Sequence, residues 1–212
     1  MTESHAEGAK LDAPADESVA PVIALARAAS VGDSEATTKL LRILAPRLVR
    51  IVRAVIGASH PDVDDATQHA LIGFVQALPA YRGDCDPLAY GRVIAVRAAI
   101  AARKRARLVQ SRRDDGAEAD AVPTSRPTPG ESADSEQRKE LLRELLAELP
   151  AEQAETLALR VVLGCSLEEV AERTGVPLNT VRSRVRLAKE RLKSRIEADA
   201  GLRDALDVEM PS

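Results

Sequence analysis

The sequence has 212 residues, of which 45% are hydrophobic and 30% are charged, and its formal net charge is -3 at pH 7. This composition is typical of a folded, soluble chain, and the length suits one medium-sized domain or two small ones. The only aromatic residues are Phe74, Tyr81 and Tyr90. Because sheet proteins pair aromatic and β-branched side chains across strands, we predict an all-α fold. No apolar run reaches the roughly 20 residues of a membrane span, so we expect no membrane insertion.

Charge and helical periodicity divide the chain into segments. Residues 1–20 are acidic and polar, which predicts a flexible tail and not a secretory signal. Residues 21–110 and 136–198 show helical periodicity, whereas residues 111–135 are acidic and rich in proline. Such a segment predicts a flexible acidic linker. We therefore expect two small helical modules joined by this linker, with a short acidic tail at residues 199–212.

The first module is predicted to begin with three helices. Apolar residues at helical spacing predict the first two at residues 22–29 and 34–56, and Pro46 is expected to kink the second or to mark a boundary. A third helix opens near Asp62, which we expect to cap it. Its predicted buried residues are Val63, Thr67, Ala70, Leu71, Phe74, Val75 and Leu78.

A strongly basic fourth helix ends the first module. It is predicted from about residue 88 to residue 108, after a loop at residues 79–87. No acidic residue lies between Arg97 and Arg113. A helix of this kind offers cations to nucleic-acid phosphates, so the negative net charge of the whole chain does not exclude nucleic-acid binding.

The second module is predicted to contain four helices. Ser166 precedes one of them and Glu169 follows three residues later, which is a capping-box pattern. The next helix is long and basic. The four helices are predicted at residues 135–149, 151–163, 167–174 and 179–196.

The last two helices form a helix-turn-helix pattern around Gly175. Glycine adopts a positive φ at little cost, which a tight turn between helices requires. Apolar side chains on both sides of the turn are spaced to form a small core that fixes the crossing of the helices. We expect this core to contain Val170, Ala171, Val176 and Val181.

The basic helix after the turn is the candidate DNA reader. Between Leu178 and Arg195 it has seven basic residues and one acid, Glu190. The start of a recognition helix enters the major groove, where arginine reads guanine and asparagine reads adenine. A solvated charged helix is the alternative interpretation of such a run. The predicted DNA-contacting residues are Asn179, Thr180, Arg182, Ser183, Arg186 and Lys189.

Residues 167–185 resemble the C-terminal DNA-binding module of the extracytoplasmic-function (ECF) sigma factors of bacterial RNA polymerase. A Gly-Val-Pro turn followed by Thr-Val-Arg-Ser-Arg carries the resemblance. In the first module, residues 62–68 are similar to the acidic helix with which that family binds polymerase. Residues 81–84 match its following loop, and the basic helix of residues 92–107 lies where the family reads the −10 element. The resemblance covers residues 34–108 and 136–196.

The resemblance implies a promoter-specificity subunit with a region 2-like module at residues 21–110 and a region 4-like module at residues 136–198. The first module would dock on the polymerase and capture unpaired bases of the −10 element, and the second would read the −35 element as duplex. The implied polymerase-binding residues are Asp64, Asp65 and Gln68. The implied residues at the −10 region are Tyr81, Arg82, Arg92, Arg97, Arg103 and Lys104. The implied partners are RNA polymerase core, promoter DNA and an anti-sigma factor.

Some positions depart from the family pattern. The family commonly has an aromatic residue, often tryptophan, at the start of the fourth helix, where this chain has only Tyr90. Val96 replaces a frequent asparagine, and His69 and Ala70 stand where the family favours an acid and a larger residue. These departures concern the details of −10 recognition and of docking, and they leave the helix-turn-helix pattern unchanged.

Three alternatives remain beside a sigma factor. The first is a stand-alone helix-turn-helix regulator that binds duplex DNA without polymerase, and the second is a helical adaptor for an acidic partner. An enzyme is least favoured, because the histidines are scattered and no nucleophile–base pair or phosphate-binding glycine loop is present. Cys85 and Cys165 have no Cys-x-x-Cys motif or neighbouring histidine cluster. We therefore expect no metal, no cofactor and a cytoplasmic location.

Overall fold

The computed structural model describes residues 19–83, 85–114 and 131–206, and every regular element in this part of the chain is helical. The all-α prediction is confirmed. A 3₁₀ turn, Leu78–Ala80, follows the third helix. The helices are α1 (Val19–Ser30), α2 (Ser34–Ile56), α3 (Val63–Ala77), α4 (Pro87–Asp114), α5 (Glu131–Glu148), α6 (Ala151–Val161), α7 (Leu167–Thr174), α8 (Leu178–Glu197) and α9 (Ala200–Ala205).

The segments predicted to be flexible fall largely outside the described residues. This holds for most of the tail at residues 1–20, for residues 115–130 of the linker and for residues 207–212. Where the structure does describe them, parts of these segments are helical: α4 and α5 extend into the predicted linker, and α9 lies in the predicted C-terminal tail. Proline and acid content alone did not reveal how far the helices continue.

Helices α1 to α4 pack around an aliphatic core. Leu40, Leu44 and Leu48 of α2 are fully buried together with Phe74 of α3. Their spacing of four residues places them on one face of a helix, which is why α2 turns this face to α3 and α4. Pro46 is exposed, and α2 continues through it, so the proline is not a boundary.

The prediction that Asp62 caps α3 was wrong. Asp62 makes no side-chain capping bond to α3, because its backbone (φ −89°, ψ 13°) is not in the extended conformation of an N-cap. Its backbone N–H instead donates to Nδ1 of His60 at 3.2 Å. At α2 the capping is made by Asp33, whose carboxylate accepts from the N–H groups of Glu35 and Ala36, each at 2.9 Å.

The buried face of α3 is narrower than predicted. Its buried residues are Val63, Ala66, Ala70 and Phe74. Thr67 and Leu71 are half-buried, and Leu71 packs against the core, whereas Val75 is 37% exposed, so its assignment to the buried face was wrong. Buried residues at intervals of three and four occupy one stripe of the helix, and Val75 lies one residue beyond it.

Helices α6, α7 and α8 form the predicted helix-turn-helix module. The capping box is present: the hydroxyl of Ser166 accepts from the N–H of Glu169 at 3.0 Å, and the carboxylate of Glu169 accepts from the N–H of Ser166 at 2.6 Å. Gly175 has a φ of +69°, as the turn requires. Val170 and Val181 are fully buried, with Ala171 and Val176 packed against the core.

The two predicted modules share one hydrophobic core, because α4 packs against α5, α6 and α7 as well as against α2 and α3. The buried positions on α4 are not confined to one stripe: Ala95, Val96, Ala99 and Ala102 are all fully buried. Small alanine side chains allow close approach of helices on more than one side. Among the described residues, none of the helices combines the length and apolar character needed to cross a membrane.

Candidate nucleic-acid and polymerase interfaces

The start of α8 presents the predicted DNA-reading residues to solvent. Five of the six are exposed and Thr180 is half-buried. The opposite side of α8 is fixed by the burial of Val181 and Ala188 against the rest of the module. Two of the reading side chains bond within their own helix: Arg182 donates to Oδ1 of Asn179 at 3.4 Å, and Arg186 pairs with Glu190 at 2.6 Å.

Other basic residues of α8 are bonded to the neighbouring helices. Arg184 Nη2 lies 2.5 Å from Oε2 of Glu152 on α6, and Arg195 Nε lies 3.3 Å from Oε2 of Glu148 on α5. Arg195 also donates to Asp199 at 3.0 Å, and this bond lowers the pKa of the Asp199 carboxyl. These arginines orient α8, whereas the stripe with Arg182 and Arg186 faces outward.

The loop before α4 is held by an aromatic cluster. Tyr81 is only 7% exposed, and its hydroxyl donates to the carbonyl of Cys85. The Tyr81 ring centroid lies 5.7 Å from that of Tyr90, which lies 6.3 Å from that of Phe74. The Tyr90 hydroxyl donates to the carbonyl of Ala77 at 3.1 Å. The aromatic rings are therefore turned inward, whereas Arg82 is exposed.

The predicted −10 residues of α4 face the second module. Arg97 Nε donates to Oε2 of Glu155 at 2.9 Å, and Arg97 Nη2 lies 2.9 Å from Oε1 of the same carboxylate. Arg103 is buried and pairs with Glu140 at 2.8 Å. Lys104 donates to a backbone carbonyl, and burial lowers the pKa of its ammonium. Arg92, the fourth of the predicted −10 residues on α4, is half-buried.

The predicted polymerase-binding residues share an exposed face of α3. Asp64, Asp65 and Gln68 are all exposed. Asp65 lies 3.2 Å from Arg105 Nη2 and 3.3 Å from His69 Nδ1. The same face continues into Ile72, which is 47% exposed, and into Val75.

Sequence reasoning missed Ile72 as a surface residue. Its position four residues after Gln68 was the available signal, because residues four apart lie on the same side of a helix.

The described residues contain no group of histidine, cysteine and acidic side chains that could hold a metal ion. Cys165 is buried, and its thiol accepts from Arg173 Nη1 at 2.6 Å. Burial raises the pKa of this thiol, which opposes formation of the thiolate that binds metals. Cys85 is half-buried.

The sequence of this chain is similar to two family profiles and to several known proteins. Residues 40–109 match the family profile of sigma-70 region 2, and residues 139–192 match that of sigma-70 region 4. The chain is 33% identical to the ECF RNA polymerase sigma factor SigD of Mycobacterium tuberculosis over 199 residues, which are 91% of this chain and 86% of SigD. It is 26% identical to the ECF RNA polymerase sigma-E factor of Escherichia coli K12 over 171 residues, 75% of this chain and 87% of that protein. The chain therefore belongs to the ECF RNA polymerase sigma factors.

Two solved structures are similar at lower identity. CnrH in complex with the cytosolic domain of CnrY is 21% identical, with a TM-score of 0.48, and the match covers 84% of this chain and 98% of that one. The sigma factor RpoE of Bartonella quintana in complex with the anti-sigma factor NepR is also 21% identical, with a TM-score of 0.45 and coverage of 82% and 98%.

Family membership establishes the function. The chain is a sigma factor that directs promoter-specific initiation of transcription by RNA polymerase, and the family consists of non-enzymatic initiation factors. A stand-alone helix-turn-helix regulator is not favoured, because the match to region 2 lies outside the helix-turn-helix. The resemblance stated from the sequence is confirmed.

Proposed function

We propose that the exposed start of α8 reads the −35 element of the promoter as duplex DNA. The observation that carries this assignment is the orientation of α8: its apolar side is buried, while the polar side chains of its first turns are open to solvent. Arginine and asparagine there have the donors and acceptors that read base edges. The proposed readers are Asn179, Thr180, Arg182, Ser183, Arg186 and Lys189.

The exposed face of α3 docks on the RNA polymerase core in this proposal. Asp64, Asp65 and Gln68 supply charge and hydrogen bonds, and Ile72 and Val75 supply an adjoining apolar surface. This combination of apolar and polar surface suits a protein–protein interface. The ion pair between Asp65 and Arg105 fixes the docking face relative to α4.

The −10 element is bound by α4 and by the loop that precedes it. Arg92, Arg97, Arg103 and Lys104 supply cations for the DNA backbone, and the exposed Arg82 supplies one from the loop. Tyr81 acts in this proposal by holding the loop in place, since its ring is buried and its hydroxyl is bonded to the loop backbone.

The proposal also covers the two modules, the cellular location and the regulation of the protein. Residues 21–110 form the polymerase-binding and −10 module, and residues 136–198 form the −35 module. The protein acts in the cytoplasm, has no enzymatic activity of its own and is held inactive by an anti-sigma factor that binds between the modules.

Reconstitution with polymerase tests the proposed function. Full-length protein is mixed with purified core polymerase and with genomic promoter fragments, and co-elution and transcripts are measured. We expect a stable complex and transcripts that start at defined sites only when the protein is present. If the protein binds duplex DNA tightly by itself but neither co-elutes with core nor directs transcripts, the proposal is wrong.

A further inference from the structure

The loop between the 3₁₀ turn and α4 contains Arg82, the exposed cation proposed for the −10 element. We call residues 81–86 the −10 loop. Its inner side is fixed by the contacts of Tyr81 described above. Towards α4, the carboxylate of Asp86 accepts from a backbone N–H of that helix at 2.9 Å. The residue directly after Arg82, Gly83, is contacted by a third element, α1.

Helix α1 is part of the first module, although it lies outside residues 40–109, which match the region 2 profile. Val22, Ala26 and Ala29 on one of its faces are buried in the core. The helix packs against α2, α4 and the 3₁₀ turn that leads into the −10 loop. This packing holds α1 beside the loop, within reach of the side chain of Arg27.

The guanidinium of Arg27 contacts the backbone of Gly83. Arg27 Nη2 donates to the carbonyl of Gly83 at 3.3 Å. A Cβ atom on Gly83 would overlap Arg27 Nε and would lie 3.0 Å from both Cζ and Nη2. Gly83 also has a φ of +78°, a conformation that glycine adopts at little cost. Because Gly83 has no side chain, the guanidinium lies directly against the loop backbone.

This contact bears on the direction in which Arg82 leaves the loop. Gly83 is buried, and a buried carbonyl needs a hydrogen-bond donor to offset its lost hydration. Arg27 supplies such a donor from 56 residues earlier in the chain. Because Gly83 follows Arg82 directly, a fixed backbone at Gly83 limits the orientations of Arg82. A loop that is ordered before it binds also loses less conformational entropy on binding.

We propose that Arg27 is a positioning residue for −10 recognition, which acts through the backbone of Gly83 and does not itself contact DNA. Helix α1 then belongs to the promoter-binding machinery as well as to the core of the module. The inference rests on the proposed role of the −10 loop and names the residue that orders it. Loss of the contact lowers affinity for the −10 bases and weakens discrimination among them, while binding to core polymerase stays unchanged.

Hydrogen exchange of the full-length protein alone tests the order of the loop. Peptides that cover residues 78–90 are followed by mass spectrometry. The test variant is Arg27→Met, which keeps an unbranched side chain of high helix propensity and removes the donor. We expect amides of the −10 loop to exchange about tenfold faster than in the wild type, because the loop opens more often. Exchange in α2 and α8 should stay unchanged.

Two further variants separate the contact from charge and from general stability. Arg42→Met removes a positive charge at an exposed position of α2 and should leave exchange in the loop unchanged. Arg27→Lys keeps a charged donor and should remain within about threefold of the wild type. The proposal is overturned by unchanged exchange in Arg27→Met, by equal loosening in Arg27→Lys, or by faster exchange throughout α1 to α4.

Transcription by the reconstituted holoenzyme tests the consequence for promoter recognition. We expect Arg27→Met to give about fivefold fewer transcripts from a cognate promoter and to discriminate less among single-base variants of its −10 element. Binding to core and discrimination at the −35 element should equal those of the wild type and of Arg42→Met. Unchanged −10 discrimination, or an equal loss at both elements, would contradict the proposal.

Substitution of Gly83 tests whether Arg27 acts through this residue. Gly83→Ala places a Cβ where the guanidinium lies and should by itself lower transcription. If the two residues act as one unit, Arg27→Met/Gly83→Ala should lose less than the product of the single losses, whereas losses that multiply would overturn the assignment. Hydrogen exchange uses no polymerase, so its failure overturns the role of Arg27 alone. Missing transcripts from the wild type overturn the proposed function.

Discussion

Neighbouring arginines in the sequence have different roles in this structure. Arg182 and Arg184 lie two residues apart on α8, yet Arg182 faces solvent and Arg184 is bonded to Glu152. Helical spacing predicted the outward stripe that contains Arg182, because this information is local. The partner of Arg184 could not be predicted, since Glu152 is distant in sequence and only packing of α6 on α8 brings it near. Arg97 and Glu155 are unpredictable for the same reason.

Substitution of Arg182 should change promoter choice as well as affinity. An arginine that reads a base edge contributes about 1–3 kcal/mol of discrimination. We therefore expect Arg182→Ala to lower transcription from the cognate promoter and to relax base preference at one −35 position, measured on a set of single-base promoter variants.

The control for Arg182→Ala is Lys193→Ala, a substitution near the C-terminal end of the same helix. Lys193 pairs with Glu197 at 3.6 Å and is expected at most to contact phosphates. It should lower transcription from all promoter variants by the same factor. Relaxed base preference in Lys193→Ala, or a uniform loss in Arg182→Ala, would speak against the assigned reader.

At the scale of helices, boundaries that depend on local chemistry were predictable and burial was less so. Residues 167–174 were predicted as a helix and match α7, because Ser166, Glu169 and Gly175 mark its two ends within the sequence. In α3 the same approach placed Val75 in the core, where the structure leaves it exposed. Periodicity gives the direction of a buried face, but its width depends on which helices pack against it.

The cap of α7 supports a stability prediction. Ser166→Ala removes the acceptor for the Glu169 N–H, and loss of such a cap costs about 1 kcal/mol of the free energy of unfolding. Chemical denaturation followed by circular dichroism measures this loss. Ser194→Ala, an exposed site on α8, should leave the free energy of unfolding nearly unchanged. An equal loss in both variants would show that the cap does not stabilise the protein.

The exposed face of α3 supports a binding prediction. Gln68→Ala and Ile72→Ala should each weaken binding to core polymerase by about tenfold, because both side chains belong to the proposed interface. Thermal unfolding should change little, since neither residue is buried. Thr38→Ala, at an exposed position on α2, is the control for surface substitution and should bind core normally. Normal binding by both α3 variants would remove this face from the interface.

At the scale of the whole molecule, we expect acid to destabilise the junction between the modules, where His60 lies near Arg103 and Glu140. Burial, and next the positive charge of Arg103, lower the pKa of His60 below its usual 6.5. The folded protein therefore prefers neutral His60, while the unfolded chain binds a proton as the pH falls below 6.5. Stability contributed by this histidine is present above that pH and is lost on acidification towards the folded-state pKa.

Replacement of His60 should flatten this pH dependence. We expect the melting temperature of His60→Gln to fall less than that of the wild type between about pH 7 and pH 5. Gln76→Ala, at an exposed position on α3, removes no titratable group and should retain the wild-type slope. A wild-type slope in His60→Gln would assign the acid sensitivity to other groups.

The composition of α4 accounts for its contacts with both modules. After Tyr90 the helix has no aromatic residue, and alanine recurs among its apolar positions. Ala95, Ala99 and Ala102 are fully buried in a helix that packs against α2 and α3 as well as against α5, α6 and α7. A larger side chain at such a position would overpack the core, which typically costs about 1–3 kcal/mol. The low aromatic content of the chain thus has a consequence at the largest scale, because it lets a single helix belong to the packed interior of both modules.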